Sequence, residues 1–275
     1  MTYSPSSPPF ALTIAGSDCS AGAGIQADLK TFAAHGVYGL SAITAIVAES
    51  PGTVSAASPV DPTLLGQQLN RVRSFIQPCL DSGFCIKIGM LGNAELVRVV
   101  IDFLEENPEF PVVIDPVIRA SAGAELLSPD GVELLKSRLL PLATLVTPNL
   151  PEAEILLGEQ LSPRDAAREI AERFGCSTLV KGGHAATEES VVDIAHFDGE
   201  GIAFPHPRLD VPDLHGTGCT LSSAITARIA FGDGLSKAVE KGIAYLTATM
   251  SQHLHWTGSD KTRALNHFPD DVESS

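Results

Sequence analysis

The stretch FALTIAGSDCSAGAGIQADLKTFAAHG, residues 10–36, decides how the rest of the chain is interpreted. It opens with a short apolar run that ends in glycine, which is typical of a buried strand. A glycine-rich turn follows, and the segment from Gly24 then has the apolar spacing of a helix that stops at Gly36. The stretch therefore predicts one strand followed by one helix.

The same alternation continues along the chain. Strands are predicted at 39–49, 84–91, 111–117, 143–149 and 176–183, with a hairpin over 190–210. Helices are predicted at 62–76, 93–107, 130–140, 150–158, 162–175, 220–232 and 235–254. Alternation of this kind indicates an α/β fold with a mostly parallel central sheet and helices on both faces. We expect a flexible tail at 1–9, a single domain over 10–266 and a C-terminal tail at 267–275.

Composition argues against several classes of partner. The 275 residues carry a formal net charge of −15, which argues against a nucleic-acid or anionic-membrane partner. No apolar run approaches the length of a membrane span, and the N-terminus lacks the pattern of a signal peptide. Five cysteines without a C-x-x-C motif indicate reduced thiols, so we expect a cytoplasmic protein.

Chemically distinctive side chains fall where the predicted strands end. These are Glu49, Met90, Asp115, Asn149 and Lys181. Taken singly, the charged ones are compatible with solvated surface positions and the methionine with core packing. Because ligands of parallel sheets bind beyond the carboxyl ends of the strands, their convergence predicts a binding site at that edge. The loop AGSDCSAGAG matches neither the dinucleotide fingerprint nor the Walker pattern, and alone it also fits a plain turn.

The stretch HGTGCTLSSA, residues 215–224, places a cysteine in a glycine-rich turn before a predicted helix. Free N–H groups at such a helix start favour a developing negative charge, such as a transferring phosphoryl group. We expect the pKa of the Cys219 thiol to be lowered there, so that it accepts a proton from a substrate hydroxyl. Two alternatives are a small residue packed under the helix and a cysteine nucleophile with His215 as its base.

These motifs together resemble one family. ALTIAGSDCSAGAGIQADLKTFAAHGVYGLSAITAIVAE, KIGMLG, VVIDPV, LVTPNLPEAEILLG, LVKGGH and HGTGCTLSSAI match the hydroxymethylpyrimidine/phosphomethylpyrimidine kinases of thiamine biosynthesis. The resemblance implies a ribokinase-like fold, ATP and Mg²⁺ as cofactors, and a homodimer. It also implies phosphorylation of 4-amino-5-hydroxymethyl-2-methylpyrimidine and then of its monophosphate.

The resemblance implies a role for each matching residue. Cys219 takes the position of the catalytic base, and the glycine-rich turn forms the anion hole with Gly216, Thr217 and Gly218. Asp28, Val47, Glu49, Met90 and Val117 fall at pyrimidine-contacting positions. The nucleotide side matches Asn149, Lys181 and Lys241, and the Mg²⁺ side matches Asp115 and Glu152.

Two positions depart from the family. Glu49 stands where the family usually has glutamine, and an ionised carboxylate can only accept hydrogen bonds. The usual lysine after the DPV motif is missing near Ser121, where only Arg119 offers a positive charge. These departures leave open a pyridoxine or pyridoxal kinase and, in another class, a non-catalytic pyrimidine sensor.

Overall fold

The computed structural model describes residues 7–50, 52–119, 123–182, 190–211, 214–257 and 263–270. Its strands are β1 (Phe10–Asp18), β2 (Tyr38–Ser50), β3 (Thr53–Pro59), β4 (Phe84–Ile88), β5 (Val112–Ile114), β6 (Leu145–Val146), β7 (Ser177–Val180), β8 (Ser190–Phe197), β9 (Glu200–Pro207), β10 (Leu254–His255) and β11 (Arg263–Ala264). Its helices are α1 (Gly24–Ala34), α2 (Pro62–Ile76), α3 (Ala94–Glu105), α4 (Pro129–Leu134), α5 (Leu150–Leu157), α6 (Pro163–Phe174), α7 (Thr217–Ala230) and α8 (Leu235–Ser251).

Within the described ranges, nine strands form one sheet in the order β3-β2-β1-β4-β5-β6-β7-β8-β9. The strands from β2 to β7 pair in parallel, and β3, β8 and β9 are added antiparallel at the edges. The chain runs outward from β1 to β3 and then returns to β4 on the other side of β1. The β1–β4 boundary is therefore a topological switch point, where open α/β sheets bind their ligands.

Strand alternation divides the core between two helical layers. On β4, Ile86 and Ile88 belong to the large apolar cluster that contains residues of α2, α3, α5 and α6. Cys85, which points the other way, packs with residues of α7 and α8. This two-layer burial explains why the parallel strands are almost uniformly apolar. The predicted α/β fold with a mostly parallel sheet is thus confirmed.

Three details differ from the sequence-based prediction. The segment Thr53–Pro59 pairs with β2 as an antiparallel edge strand, although it was not predicted as a strand. The helix predicted over 130–140 is divided into α4 and one wide π turn at Leu135–Leu139. His267, the first residue of the predicted C-terminal tail, is buried, and its carbonyl accepts a hydrogen bond of 2.7 Å from Tyr245.

Some sequence-based predictions fall outside the described residues, namely the positions 1–6, Ser121, Gly183 and 271–275. Within the ranges that are described, no helix is long and apolar enough to cross a membrane.

Candidate functional site

Asp18 organises the loop that follows β1. Its carboxylate accepts hydrogen bonds from the backbone amides of Ser20, Gly22 and Ala23 at 2.7–3.0 Å, and His215 Nε2 lies 3.2 Å away. Burial alone would raise the pKa of Asp18, but these donors outweigh it and keep the pKa far below its ordinary value. The ionised carboxylate thereby connects the β1 loop to the segment that precedes α7.

Glu49, at the end of β2, lies on the other side of the same histidine. Its Oε2 atom is 3.8 Å from His215 Nε2. One side-chain oxygen or nitrogen atom from each of Asp18, Glu49 and His215 lies within 4.8 Å of the other two. Burial and the neighbouring charge of Asp18 raise the pKa of Glu49, while His215 opposes that shift. Glu49 therefore takes up a proton more readily than an ordinary glutamate.

The glycines before α7 allow two loops to touch. Gly216 has a φ of +88°, and a Cβ placed there would lie 1.9 Å from the carbonyl oxygen of Gly22. A Cβ on Gly218 would lie 3.2 Å from Asp115 Oδ2 and 3.4 Å from Lys181 Nζ. The first turn of α7, whose N–H groups have no partner within the helix, therefore faces the charged strand ends directly.

The Cys219 thiol lies in this first turn, but its acidity differs from the expectation. Burial raises its pKa to about 11, although the positive charge of Lys87 acts in the opposite direction. The predicted lowering is therefore wrong, because desolvation of the thiolate, together with the charges of Asp28 and Asp115, outweighs Lys87 and a backbone hydrogen bond from Gly24. The strongest charges acting on the thiol come from Lys87, Asp28 and Asp115. The Nε2 atom of His215 faces the carboxylates of Asp18 and Glu49.

A charged cluster lies at the ends of β5 and β7. Lys181 Nζ is 2.8 Å from Asp115 Oδ1 and 4.0 Å from Glu152 Oε2. Burial and the charge of Asp115 raise the pKa of Glu152 to about 7, whereas Lys181 lowers it. Burial opposes the charge of Lys181, but the two carboxylates outweigh it and raise the lysine's pKa. The cluster therefore holds one firmly charged cation between two carboxylates.

The helix α5 fixes this cluster through a reciprocal cap. Asn149 Oδ1 accepts from the Glu152 amide at 2.8 Å, and Glu152 Oε2 accepts from the Asn149 amide at 2.9 Å. Asn149 also forms a parallel β-bridge with Lys181. A capping box of this kind stabilises the helix start and sets the direction of both polar side chains.

One cavity of about 1110 Å³ runs between the Glu49 end and the Lys181 end. Most of the sequence-predicted site residues line it, namely Val47, Glu49, Met90, Asp115, Val117, Asn149, Glu152, Lys181, Gly216, Thr217, Gly218 and Cys219. Val47, Met90 and Val117 give the cavity apolar walls. Gly16 lets Val47 and Met90 approach, since a Cβ there would lie 3.2 Å from Met90 Sδ.

Two predicted residues are not among those that line the cavity. Asp28 is fully buried, and its carboxylate accepts hydrogen bonds from Thr13, Lys87 and Ser223 at 2.6–3.0 Å. This placement corrects the expectation that Asp28 contacts a ligand directly, because protein donors already occupy both of its oxygens. Lys241 lies on α8 with its Nζ 3.8 Å from Asp233.

Sequence reasoning missed the contribution of Lys87 and Asp18. Lys87 interrupts the apolar run FCIKI; its side chain is completely buried, and the residue is among those that border the cavity. A lysine in the middle of a buried strand is the signal that would have identified it. Arg119, by contrast, is an exposed residue at the cavity wall, 3.9 Å from Glu125.

The chain is similar in sequence to known kinases over most of its length. The family model described as phosphomethylpyrimidine kinase matches residues 18–262. A hydroxymethylpyrimidine/phosphomethylpyrimidine kinase of Haemophilus influenzae is 41% identical over 251 residues, which cover 89% of this chain and 91% of the relative.

Solved structures are similar over most of their length. The phosphomethylpyrimidine kinase of Clostridium difficile superposes with a TM-score of 0.73 at 37% identity, covering 86% of this chain and 97% of that one. The pyridoxal kinase of Staphylococcus aureus, in complex with AMP-PCP and pyridoxal, superposes with a TM-score of 0.83 at 32% identity, covering 97% and 96%.

Proposed function

Because the chain belongs to the phosphomethylpyrimidine kinase family, we propose that it transfers the γ-phosphoryl group of ATP to 4-amino-5-hydroxymethyl-2-methylpyrimidine, and then phosphorylates the monophosphate. One observation carries the proposal. The first turn of α7 and the Cys219 thiol lie in a single cavity between an apolar end and a lysine–carboxylate end. That arrangement suits transfer of a phosphoryl group from one ligand to another.

The apolar end receives the pyrimidine ring. Val47, Met90 and Val117 contact its faces, and Glu49 contacts its polar edge, where an amine and a ring nitrogen offer hydrogen bonds. The hydroxymethyl oxygen then lies beside Cys219, which accepts its proton as the oxygen attacks phosphorus. The bond from oxygen to phosphorus forms while the bond to the ADP oxygen breaks, and phosphoryl transfer asks the protein chiefly for position and charge.

The anion hole of Gly216, Thr217 and Gly218 stabilises the charge on the transferring group. Backbone N–H groups at a helix start already point toward the phosphate oxygens, so they need no reorganisation at the moment of reaction. Asn149 and Lys181 bind the nucleotide phosphates, and Lys241 remains a predicted contact on this side.

The carboxylates of Asp115 and Glu152 fit a bound Mg²⁺. Lys181 occupies only Asp115 Oδ1, and Oδ2 points toward the first turn of α7, where Gly218 carries no side chain. Oxygen ligands, phosphates and waters are what Mg²⁺ prefers, and the ion would screen the phosphate charges. We further propose, from the family resemblance, that the enzyme is a cytoplasmic homodimer; its five cysteines are free thiols.

Pyridoxal phosphorylation is the second candidate. It is favoured by the similarity to a pyridoxal-bound kinase structure and by Glu49, which can accept a hydrogen bond from the phenol of that vitamin. A pyrimidine sensor is a weaker third candidate, because a binder does not need Cys219 beside a lysine–carboxylate cluster.

ADP formation by the purified protein, measured with each vitamin precursor in turn, separates these possibilities. We expect turnover with the pyrimidine, little with pyridoxal, and loss of turnover in Cys219→Ala. Turnover with pyridoxal alone would overturn the proposed substrate. Tight binding of the pyrimidine without ADP formation would instead support a sensor.

A further inference from the structure

Lys87 is a buried lysine on strand β4 of the central sheet. The Lys87 side chain is 0% exposed and forms an ion pair with Asp28, whose two oxygens lie 3.0 and 2.9 Å from Nζ. Lys87 is the register partner of Thr13 on β1, so both side chains point to the layer that contains α1 and α7. A lysine is rarely buried so completely unless it is paired.

Asp28 has a fixed position because two further donors bind it. Thr13 Oγ1 donates to Asp28 Oδ2 at 2.6 Å, and Ser223 Oγ donates to Oδ1 at 2.7 Å. The carboxylate thus connects α1 to β1, β4 and α7 and holds the ammonium group of Lys87 in place. A buried polar network of paired charges is rigid, whereas removing one member would leave an unpaired buried charge.

Lys87 also borders the cavity. Both hydrogen bonds that it makes to described residues go to Asp28, while an ammonium group has three hydrogens to donate. The missing side chain of Gly89 leaves space for the Lys87 side chain, since a Cβ there would lie 2.8 Å from Nζ. One donor direction of Lys87 is therefore not taken by its counter-ion.

Cys219 lies on the same helix as Ser223, which belongs to this network. Ser223 follows it by four residues on α7, so both side chains are on one face of the helix. Among the charges around the thiol, Lys87 has the largest effect and favours the thiolate, while Asp28 and Asp115 disfavour it. Lys181, at the end of β7, also interacts with the thiol.

We propose that Lys87, held by Asp28, is a positioning residue that stabilises the thiolate of Cys219 and so makes this cysteine able to accept the substrate proton. The thiol first releases its proton to solvent, and the thiolate then takes the hydroxyl proton as phosphoryl transfer proceeds. The proposal deepens the proposed function and rests on the role of Cys219 in it. It also assigns Asp28 a function that needs no contact with the substrate.

Alkylation of Cys219 by iodoacetamide, a neutral reagent that attacks thiolates, tests the proposal without any substrate. The rate is followed against pH by peptide mass spectrometry, and the exposed Cys19 serves as an internal reference. We expect Lys87→Met to slow alkylation of Cys219 roughly 10-fold or more at a given pH, because one unit of pKa changes the thiolate fraction tenfold. Lys87→Arg should retain most of the wild-type rate, and Cys19 should react equally in all variants.

Lys87→Met leaves the buried Asp28 carboxylate without its counter-ion. The double variant Asp28→Asn/Lys87→Met therefore provides a second measurement, in which neither charge of this ion pair is left unpaired. Because Lys87 acts on the thiol more strongly than Asp28 does, we still expect slower alkylation than in the wild type. Wild-type alkylation curves in the folded variants would overturn the proposal. Altered curves in a protein that phosphorylates no pyrimidine would instead retain the Lys87–Cys219 coupling and reject the proposed substrate.

Discussion

Lys181 Nζ lies 2.8 Å from Asp115 Oδ1, so one ion pair bridges the ends of β5 and β7 across the intervening strand β6. Glu152, at the start of α5, is the second carboxylate within reach of the same ammonium group. The cluster is mostly buried, which strengthens the attraction that the Lys181 ammonium group, and a Mg²⁺ held by the carboxylates, would have for phosphate groups. In the proposed reaction it is the end of the cavity that holds the nucleotide.

Lys181→Met should therefore weaken nucleotide binding. We expect the KM for ATP to rise by about 10-fold or more, as is typical when a hydrogen bond to a charged group is lost. Lys237→Met is a matched control, since Lys237 also pairs with an aspartate, at 2.9 Å, but its side chain is 60% exposed. An unchanged KM for ATP in Lys181→Met would contradict the placement of the nucleotide.

Gly216→Ala should damage the anion hole. Its added Cβ would meet the Gly22 carbonyl oxygen at 1.9 Å and push the two loops apart. We expect kcat/KM to fall by about 10²-fold, the usual cost of displacing a reacting group by about 1 Å. Gly36→Ala is the control, because Gly36 also has a positive φ, +72°, but nothing lies within 4 Å of its added Cβ. Equal losses in the two variants would mean that backbone strain alone is responsible.

The Cys219 thiol should be protonated at neutral pH in the enzyme without ligands. Burial raises the pKa of the thiol to about 11. Below that pH, the thiolate fraction, and with it the alkylation rate, should increase about tenfold with each unit by which the pH is raised. A rate that reaches its plateau near neutral pH would show instead that the helix N-terminus dominates, as the sequence alone suggested.

Removal of the thiol should slow turnover without loosening the pyrimidine. For Cys219→Ala we expect kcat to fall by roughly 10²-fold or more, within the range of a lost general base. Cys85→Ala is a suitable control, as Cys85 is a buried thiol that does not line the cavity. A phosphocysteine found by mass spectrometry in the wild type would indicate a nucleophile instead of a base.

Glu49 should make pyrimidine binding depend on pH. Burial and Asp18 raise its pKa, so at low pH Glu49 retains a proton that it can share with the ring nitrogen. As pH rises through that pKa, the ionised carboxylate faces an acceptor, and affinity should fall. Glu49→Gln can donate and accept without this proton, so its KM for the pyrimidine should vary less with pH. The gain at high pH should be about 1 kcal/mol, a typical hydrogen-bond contribution.

The same variant separates the two candidate vitamins. If pyridoxine is the substrate, Glu49 accepts a hydrogen bond from the phenol, and glutamine should weaken binding at every pH. Glu240→Gln, at an exposed position of α8, controls for the change in net charge. A pyrimidine KM that is flat with pH and equal in wild type and Glu49→Gln would show that Glu49 does not contact the ring.

Much of the fold could be predicted because local pattern and tertiary structure agree. The helix predicted at 62–76 is α2 as observed, since Pro62 follows the capping Asp61 and apolar residues recur on one face. The strand β3 could not be predicted, because its side chains are mostly exposed and only its pairing with β2 defines it. Pairing between strands is a tertiary property that a run of sequence letters does not contain.

The site divides in a similar way. Residues at strand ends, such as Asp115 and Lys181, could be predicted because the topology brings all these ends to one edge. The motif around Asp28 predicted that this residue lies near the site, but not where its side chain points. Only the structure shows that its carboxylate accepts hydrogen bonds from Lys87 and Ser223. The acidity of Cys219 was misjudged for the same reason, since burial cannot be deduced from the adjacent glycines.

The most direct test of the proposed reaction is identification of the products by ³¹P NMR. The purified protein is incubated with MgATP and 4-amino-5-hydroxymethyl-2-methylpyrimidine, beside a parallel reaction with pyridoxal and another with Cys219→Ala. We expect a phosphate monoester of the pyrimidine to appear first and its pyrophosphate later, with neither formed at a comparable rate by Cys219→Ala. Formation of pyridoxal phosphate without any pyrimidine ester, or equal pyrimidine turnover by Cys219→Ala, would contradict the proposal.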